Sequence, residues 1–238
     1  MKDLNEYLEG KKWYLYVPFW VFGLYLFIKL LSFELGSEVA FAVAVPQSVN
    51  FILHEMAHLV TVFLPQIMVA AAGSFSELLL GAALIVTAFK TRGYFASLFC
   101  CLWFMLACQS VADYMADART QALPLVSFGG GDAAHDWHFI FGELGLLEQD
   151  TLIATITRSI GTMVGVAGLL LGAWLIGKMF LAKQAATAEA RTAELKRVLA
   201  EARPEERPDD DTLTSGVYPT ATKGLIARPT KKPEDKSS

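Results

Sequence analysis

Charged residues are scarce over most of this 238-residue chain, in which 54% of the residues are hydrophobic and 18% are charged. Most of the charges fall within the first dozen residues or after Lys178. Long apolar segments between charged ends are typical of integral membrane proteins. The net charge of -4 is small and the sequence has no basic stripe, which excludes nucleic acid as an expected partner.

Cysteine is also rare. The three cysteines, Cys100, Cys101 and Cys108, all lie in one apolar segment, where we expect small core residues and no disulfide framework. The aromatic-rich segment that follows the amino terminus lacks a small-residue cleavage site. This segment is therefore predicted to be a membrane anchor and not a removable signal peptide.

Four apolar segments are long enough to cross a bilayer of roughly 30 Å as helices, at 1.5 Å per residue. They cover about residues 13–33, 67–89, 94–112 and 160–181. A shorter helix is predicted at 50–62, with Pro46 and Ser48 as start signals and Pro65 as the stop. The predicted fold class is an all-α integral membrane protein.

Lysine and arginine positions indicate how the spans are oriented. Basic residues precede the first span, join the second to the third, and follow the last; they are Lys2, Lys11, Lys12, Lys90, Arg92, Lys178 and Lys183. If the helix at 50–62 is re-entrant, all of them lie on one side, which the positive-inside rule assigns to the cytoplasm. We therefore predict about four transmembrane helices plus one re-entrant helix, with both termini cytoplasmic.

The last span carries glycines at helical spacing on one face: Gly161, Gly165, Gly168 and Gly172. Such a face lets membrane helices approach closely, so it is predicted to pack against a neighbour in the same chain or in a homo-oligomer. The membrane domain is placed at 1–182. Residues 183–203 predict a soluble charged helix, and 204–238 predict a disordered tail that cannot bury a core.

The helix at 50–62 contains two histidines and a glutamate, in the stretch FILHEMAHLV. His54 and His58 are four residues apart, so they project from one helix face at the spacing at which two imidazoles hold one zinc ion. Glu55 points about 100° around the helix, where it can act as general base toward a zinc-bound water. Glu77, within the second span, is a weaker candidate as ligand, proton carrier or packing residue.

A third ligand is expected from one of two later pairs. His135 and His138 form HDWH in the polar insert between the last two spans, where the preceding GGGD lets the loop fold back over a site. The alternative is a surface loop anchored by Trp137 at the membrane interface. Asp113 and Asp117 share a face at the end of the third span, with the alternative that both simply meet water.

HEMAH in an apolar helix, followed about sixty residues later by DYMADA, resembles the membrane-embedded HExxH zinc metallopeptidases. In the CAAX-prenyl-protease type the second motif reads ExxAD. The resemblance implies Asp113 in place of the glutamate ligand and Asp117 in place of the aspartate that supports a ligand histidine. The site-two-protease type takes its third ligand from an LDG motif, which this sequence lacks.

The leading hypothesis is therefore a zinc metallopeptidase that cleaves a peptide or membrane-protein substrate, with Glu55 as general base. One alternative is a non-catalytic membrane protein whose histidines bind heme or a transported metal ion, with Met56 as a soft ligand. Another is a scaffold whose glycine face and charged tail bind partners. Metal analysis separates the hydrolase from the scaffold, and an optical spectrum detects heme.

Overall fold

The computed structural model describes residues 2–8, 10–35, 40–123 and 135–202. These residues form helices and no strand, which confirms the all-α prediction for this part of the chain. The predicted tail at 204–238 and the GGGD loop lie outside the described residues. The helices are α1 (Lys2–Leu8), α2 (Val17–Leu31), α3 (Phe41–Thr61), α4 (Gln66–Lys90), α5 (Ser97–Ala116), α6 (Asp136–Leu144) and α7 (Asp150–Glu201), with 3-10 turns at Trp13–Leu15 and Leu147–Gln149.

Four helical segments are long and apolar enough to cross a membrane: Trp13–Leu31, Gln66–Lys90, Ser97–Ala116 and Leu147–Glu201. They correspond to the four predicted spans. Helix α7 begins before the predicted start at residue 160, and it continues without a break through the region predicted as a separate charged helix. No glycine or proline between 182 and 201 interrupts it. The chain divides into two compact units, Met1–Arg191 and Thr192–Ser238, and the features below belong to the first.

The HExxH helix is longer than predicted. Helix α3 begins at Phe41, and Pro46 lies inside it instead of marking its start. A proline in a helix removes one backbone donor, a loss that membrane proteins compensate locally, so Pro46 was a misleading start signal. The predicted stop is confirmed, because the helix ends at Thr61 and Pro65 caps the start of α4.

One end of the bundle, which we call the basic end, gathers the predicted basic groups. Arg92 lies 3.3 Å from Glu6, so the α4–α5 turn meets the amino-terminal helix. The Lys183 ammonium lies 5.7 Å from the centre of the Tyr14 ring. Phe180 of α7 packs edge-on against Trp13. The start of α2, the end of α4 and the middle of α7 therefore lie together.

The opposite end of the bundle, which we call the distal end, is where α2 and α5 finish. The backbone N–H of Leu35 donates to Asp113 near the end of α5. Ala70, near the start of α4, packs in one cluster with Met115. Helix α2 thus runs away from the basic end and α4 runs back toward it. Helix α3 connects the end of α2 to the start of α4, and both of these lie on the distal side.

The glycine face of α7 is filled by the same chain. A Cβ at Gly161 would lie 2.4 Å from the Cβ of Cys108, and one at Gly168 would lie 2.7 Å from the Cβ of Cys101. The structure therefore shows this face packed against the same chain, and a homo-oligomer stays a prediction. Cys101 and Cys108 are buried free cysteines, as expected for small core residues.

Candidate metal centre

The two histidines of α3 lie with their rings close together, 4.9 Å between centroids. The His54 Nδ1 atom lies 2.7 Å from Oε1 of Glu77 on α4. The His58 Nδ1 atom lies 2.9 Å from the carbonyl oxygen of Val69. A carboxylate and a carbonyl can only accept here, so each Nδ1 carries the hydrogen. In the neutral imidazole each Nε2 is then the nitrogen that could bind a metal.

Asp136, the first residue of α6, brings a carboxylate to these nitrogens. Its Oδ2 atom lies 3.2 Å from Nε2 of His54 and 3.2 Å from Nε2 of His58. Two ligands at about 2.0–2.1 Å from a tetrahedral zinc ion are roughly 3.3 Å apart. Among the described residues this is the group of histidine, cysteine and acidic side chains whose ligand atoms lie close enough to hold one ion.

Gly73 on α4 faces these nitrogens. A Cβ at this position would lie 2.4 Å from Nε2 of His54 and 2.7 Å from Nε2 of His58. Any side chain would therefore collide with both imidazoles. The missing side chain lets α4 pass close to the two histidines of α3.

The charges around the histidines fit a divalent cation. Asp136 and Glu77 supply two carboxylates, and their combined negative charge matches the charge of one divalent ion. Burial raises the pKa of the Asp136 carboxyl, but hydrogen bonds to His54 and His58 outweigh it and hold that pKa below its ordinary value. Asp136 is thus an anion that meets both imidazoles, and two imidazoles with one carboxylate are a typical donor set for zinc once each Nε2 has released its proton.

Helix α6 is held against α4 and α5 at its first turn. The backbone N–H of Asp136 donates to the hydroxyl of Tyr114 on α5, at 3.1 Å. The indole N–H of Trp137 donates to the hydroxyl of Ser74 on α4, at 3.0 Å. These bonds fix where the Asp136 carboxylate meets α3.

Asp117, His135 and His138 form a second polar group, which we call the α6 clamp. Asp117 accepts hydrogen bonds from the backbone N–H groups of Ala122 and Leu123, at 2.8 and 2.9 Å. The His135 Nε2 atom lies 3.4 Å from Oδ2 of Asp117. His138 donates from Nδ1 to the carbonyl of Ala118, at 2.8 Å. The clamp ties the end of α5 to the first turn of α6.

The clamp residues have pKa values that fit a structural role. Burial raises the pKa of Asp117, but the Thr120 hydroxyl and the two backbone N–H groups outweigh it, so the carboxyl pKa lies below its ordinary value. Burial lowers the pKa of His135 more than the nearby Asp117 charge raises it. Asp117 is therefore charged and His135 neutral near pH 7.

The predicted ligands thus divide into two sets. His54 and His58 converge as expected, while Asp117, His135 and His138 belong to the clamp and Asp113 forms an ion pair with Arg158. The three-residue group contains none of these four. Glu55, the predicted base, is half-buried on the helix turn between the histidines, close enough for its charge to interact with both of them.

The third member of the group, Asp136, was missed by the sequence reasoning although it lies between the two histidines of HDWH. His135 caps α6 by accepting from the backbone N–H of His138, so both histidines serve the helix start. Asp136 is then the first helical residue, and its side chain points about 100° away from that of its neighbour. The available sequence signal for this ligand was an aspartate directly after the residue that caps the helix.

Comparison of the chain with protein-family models, with curated proteins and with solved structures gives no match. The resemblance to membrane-embedded metallopeptidases therefore rests on HEMAH and DYMADA alone. The structure places both aspartates of the second motif outside the three-residue group.

Proposed function

We propose that this chain is a membrane-embedded zinc metallopeptidase in which His54, His58 and Asp136 bind the ion. The observation that carries the proposal is that the Asp136 Oδ2 atom lies 3.2 Å from Nε2 of His54 and 3.2 Å from Nε2 of His58. Two imidazoles and one carboxylate form a donor set used by catalytic zinc sites, whereas magnesium and calcium prefer oxygen donors. The substrate is a peptide segment in or near the membrane.

Three protein ligands would leave a fourth position, and a zinc ion held there would supply a water whose pKa is lowered to about 7. Glu55 is the residue that would accept the proton of this water and pass it to the leaving amine. Its neighbour in sequence, His54, would be a ligand, so Glu55 would lie beside the ion without occupying a ligand position. The same donor set also suits ferrous iron, and Glu55 is what favours hydrolysis.

Heme binding fits this geometry less well. A porphyrin bound by two histidines needs one on each face, but His54 and His58 lie one helical turn apart on α3. Both meet the same Asp136 oxygen, which leaves no room for a ring between them. The other two histidines belong to the α6 clamp.

Hydrolysis is tested with the purified full chain in lipid vesicles and a library of quenched fluorescent peptides. We expect Glu55→Gln to lower the cleavage rate by about 100-fold or more, the usual contribution of a general base, while its metal content stays unchanged. Glu143→Gln, at an exposed site on α6, is the control and should cleave normally. An unchanged rate in Glu55→Gln, or no cleavage of any peptide by the wild type, would contradict the proposal.

A further inference from the structure

The metal group lies much nearer to the distal end of the bundle than to the basic end. Gly73, which faces both histidines, is seven residues past the start of α4 and seventeen before its last residue, Lys90. At 1.5 Å per residue these separations are about 10 Å and about 25 Å along the helix axis. A substrate or water molecule therefore has its short path from the distal end.

The two ends carry different numbers of cations. In the part of the chain that the structure describes, the cations of the basic end are Lys11, Lys12, Lys90, Arg92, Lys178 and Lys183. The distal side has Lys29, Arg119 and Arg158. Arg119 is bound by Asp150 and Arg158 by Asp113, so both arginines serve to join α5 to α7. The positive-inside rule therefore favours a cytoplasmic basic end.

The described parts of the polar insert, residues 117–123 and 135–149, also lie at the distal end. Helix α6 in the second of these parts supplies Asp136. The side chains of His58 and Asp136 are 21% and 16% exposed to solvent, while the side chain of His54 is 9% exposed. The exposed part of the group is thus at His58 and Asp136, and the long apolar parts of α4 and α5 separate the group from the basic end.

We infer that the metal centre opens on the non-cytoplasmic side of the membrane. Its substrate is then a peptide segment of a membrane or exported protein that is exposed on that side. The substrate class rests on the proposed function. The orientation in the membrane rests only on the positions of the cations and on the direction in which each helix runs. The two parts can therefore fail separately.

The orientation is tested by labelling single introduced cysteines in sealed vesicles whose cytoplasmic face is inside. Glu148→Cys places a thiol at the distal end, where the side chain is 84% exposed, and Lys90→Cys places one at the basic end. The wild type, with Cys101 and Cys108 buried, measures the background. A membrane-impermeant maleimide should label Glu148→Cys at once and Lys90→Cys only after the vesicles are opened. Labelling of Lys90→Cys in sealed vesicles would overturn the inference.

The same sealed vesicles, prepared from protein that has first been loaded with zinc, test access to the site. A membrane-impermeant chelator added outside should remove the ion from the wild type without opening the vesicles. Retention of the ion until the vesicles are opened would overturn the inference while leaving the proposed function intact. A wild type that holds no ion under any condition would instead overturn the proposed function, and the labelling result would still decide the orientation.

Discussion

Gly73 lies so close to the two imidazoles of α3 that a side chain at this position would collide with them. In Gly73→Ala the new methyl group would lie 2.4 Å from His54 Nε2, a contact that α3 and α4 can relieve only by moving apart. We expect this variant to lose nearly all bound metal, measured as metal per chain after purification.

The control for this change is Gly177→Ala on α7, where a Cβ would meet nothing within 4 Å. It should keep the metal content of the wild type. Full metal content in Gly73→Ala would show that the ion does not bind between α3 and α4.

Glu77 is the residue that holds His54 in its ligand orientation. Its Oε1 atom accepts from the imidazole, and its Oε2 atom is buried with no hydrogen-bond partner in the described residues. Because a carboxylate behind a ligand histidine raises the basicity of that ligand, we expect Glu77→Gln to weaken metal binding by about 10–100-fold. The measurement is a competition titration against a chelator of known affinity, with exposed Glu143→Gln as the control.

A packing role for Glu77 gives a different result. The neutral glutamine is nearly the same size as glutamate, so packing alone would leave the metal affinity as it is in the wild type. An unchanged affinity, with a raised melting temperature from removal of a buried charge, would assign Glu77 to packing.

At the scale of elements, the α6 clamp holds the start of α6 and so positions the proposed ligand Asp136. Asp117→Asn weakens the acceptor for two backbone N–H groups and for His135, so the start of α6 becomes less firmly fixed. We expect metal affinity to fall by about 10–100-fold, as for other groups that orient ligands. The visible spectrum of the cobalt-substituted protein should stay unchanged, since the three ligands remain.

Asp113→Asn is the matched comparison, because Asp113 and Asp117 lie one turn apart on α5 and the sequence suggested both as ligands. Asp113 pairs with Arg158, so its variant should lower the melting temperature and leave metal affinity unchanged. A changed cobalt spectrum in either variant would restore that aspartate as a ligand.

Helices were easier to predict than the third ligand. An apolar run of about 20 residues identifies a candidate spanning helix from local sequence alone, which is why four helices long and apolar enough to cross a membrane lie where the sequence predicts spans. Asp136 depends on how α6 docks, through Tyr114 and Trp137, onto helices that are remote in sequence. His135 and His138 beside it are predicted as ligands from the sequence because histidine commonly binds metals. In the structure His135 caps α6 and His138 bonds to Ala118.

Over the whole molecule, the orientation of α3 follows from its neighbours more than from its own sequence. Pro46 predicts a helix start, but the helix runs through it from Phe41. The re-entrant path is predicted from the distribution of lysine and arginine, which is a property of the full chain. Helices α2 and α4 run in opposite directions, and the re-entrant path of α3 between them stays a prediction.

The central claim is that His54, His58 and Asp136 together bind one ion, and metal analysis of the purified full chain tests it most directly. We predict about one zinc per chain in the wild type and a loss of nearly all of it in His58→Ala and Asp136→Ala. His138→Ala, which removes a clamp side chain outside the three-residue group, should keep its zinc at the concentrations used. A wild type without stoichiometric metal, or an Asp136→Ala variant that keeps it, would contradict the account.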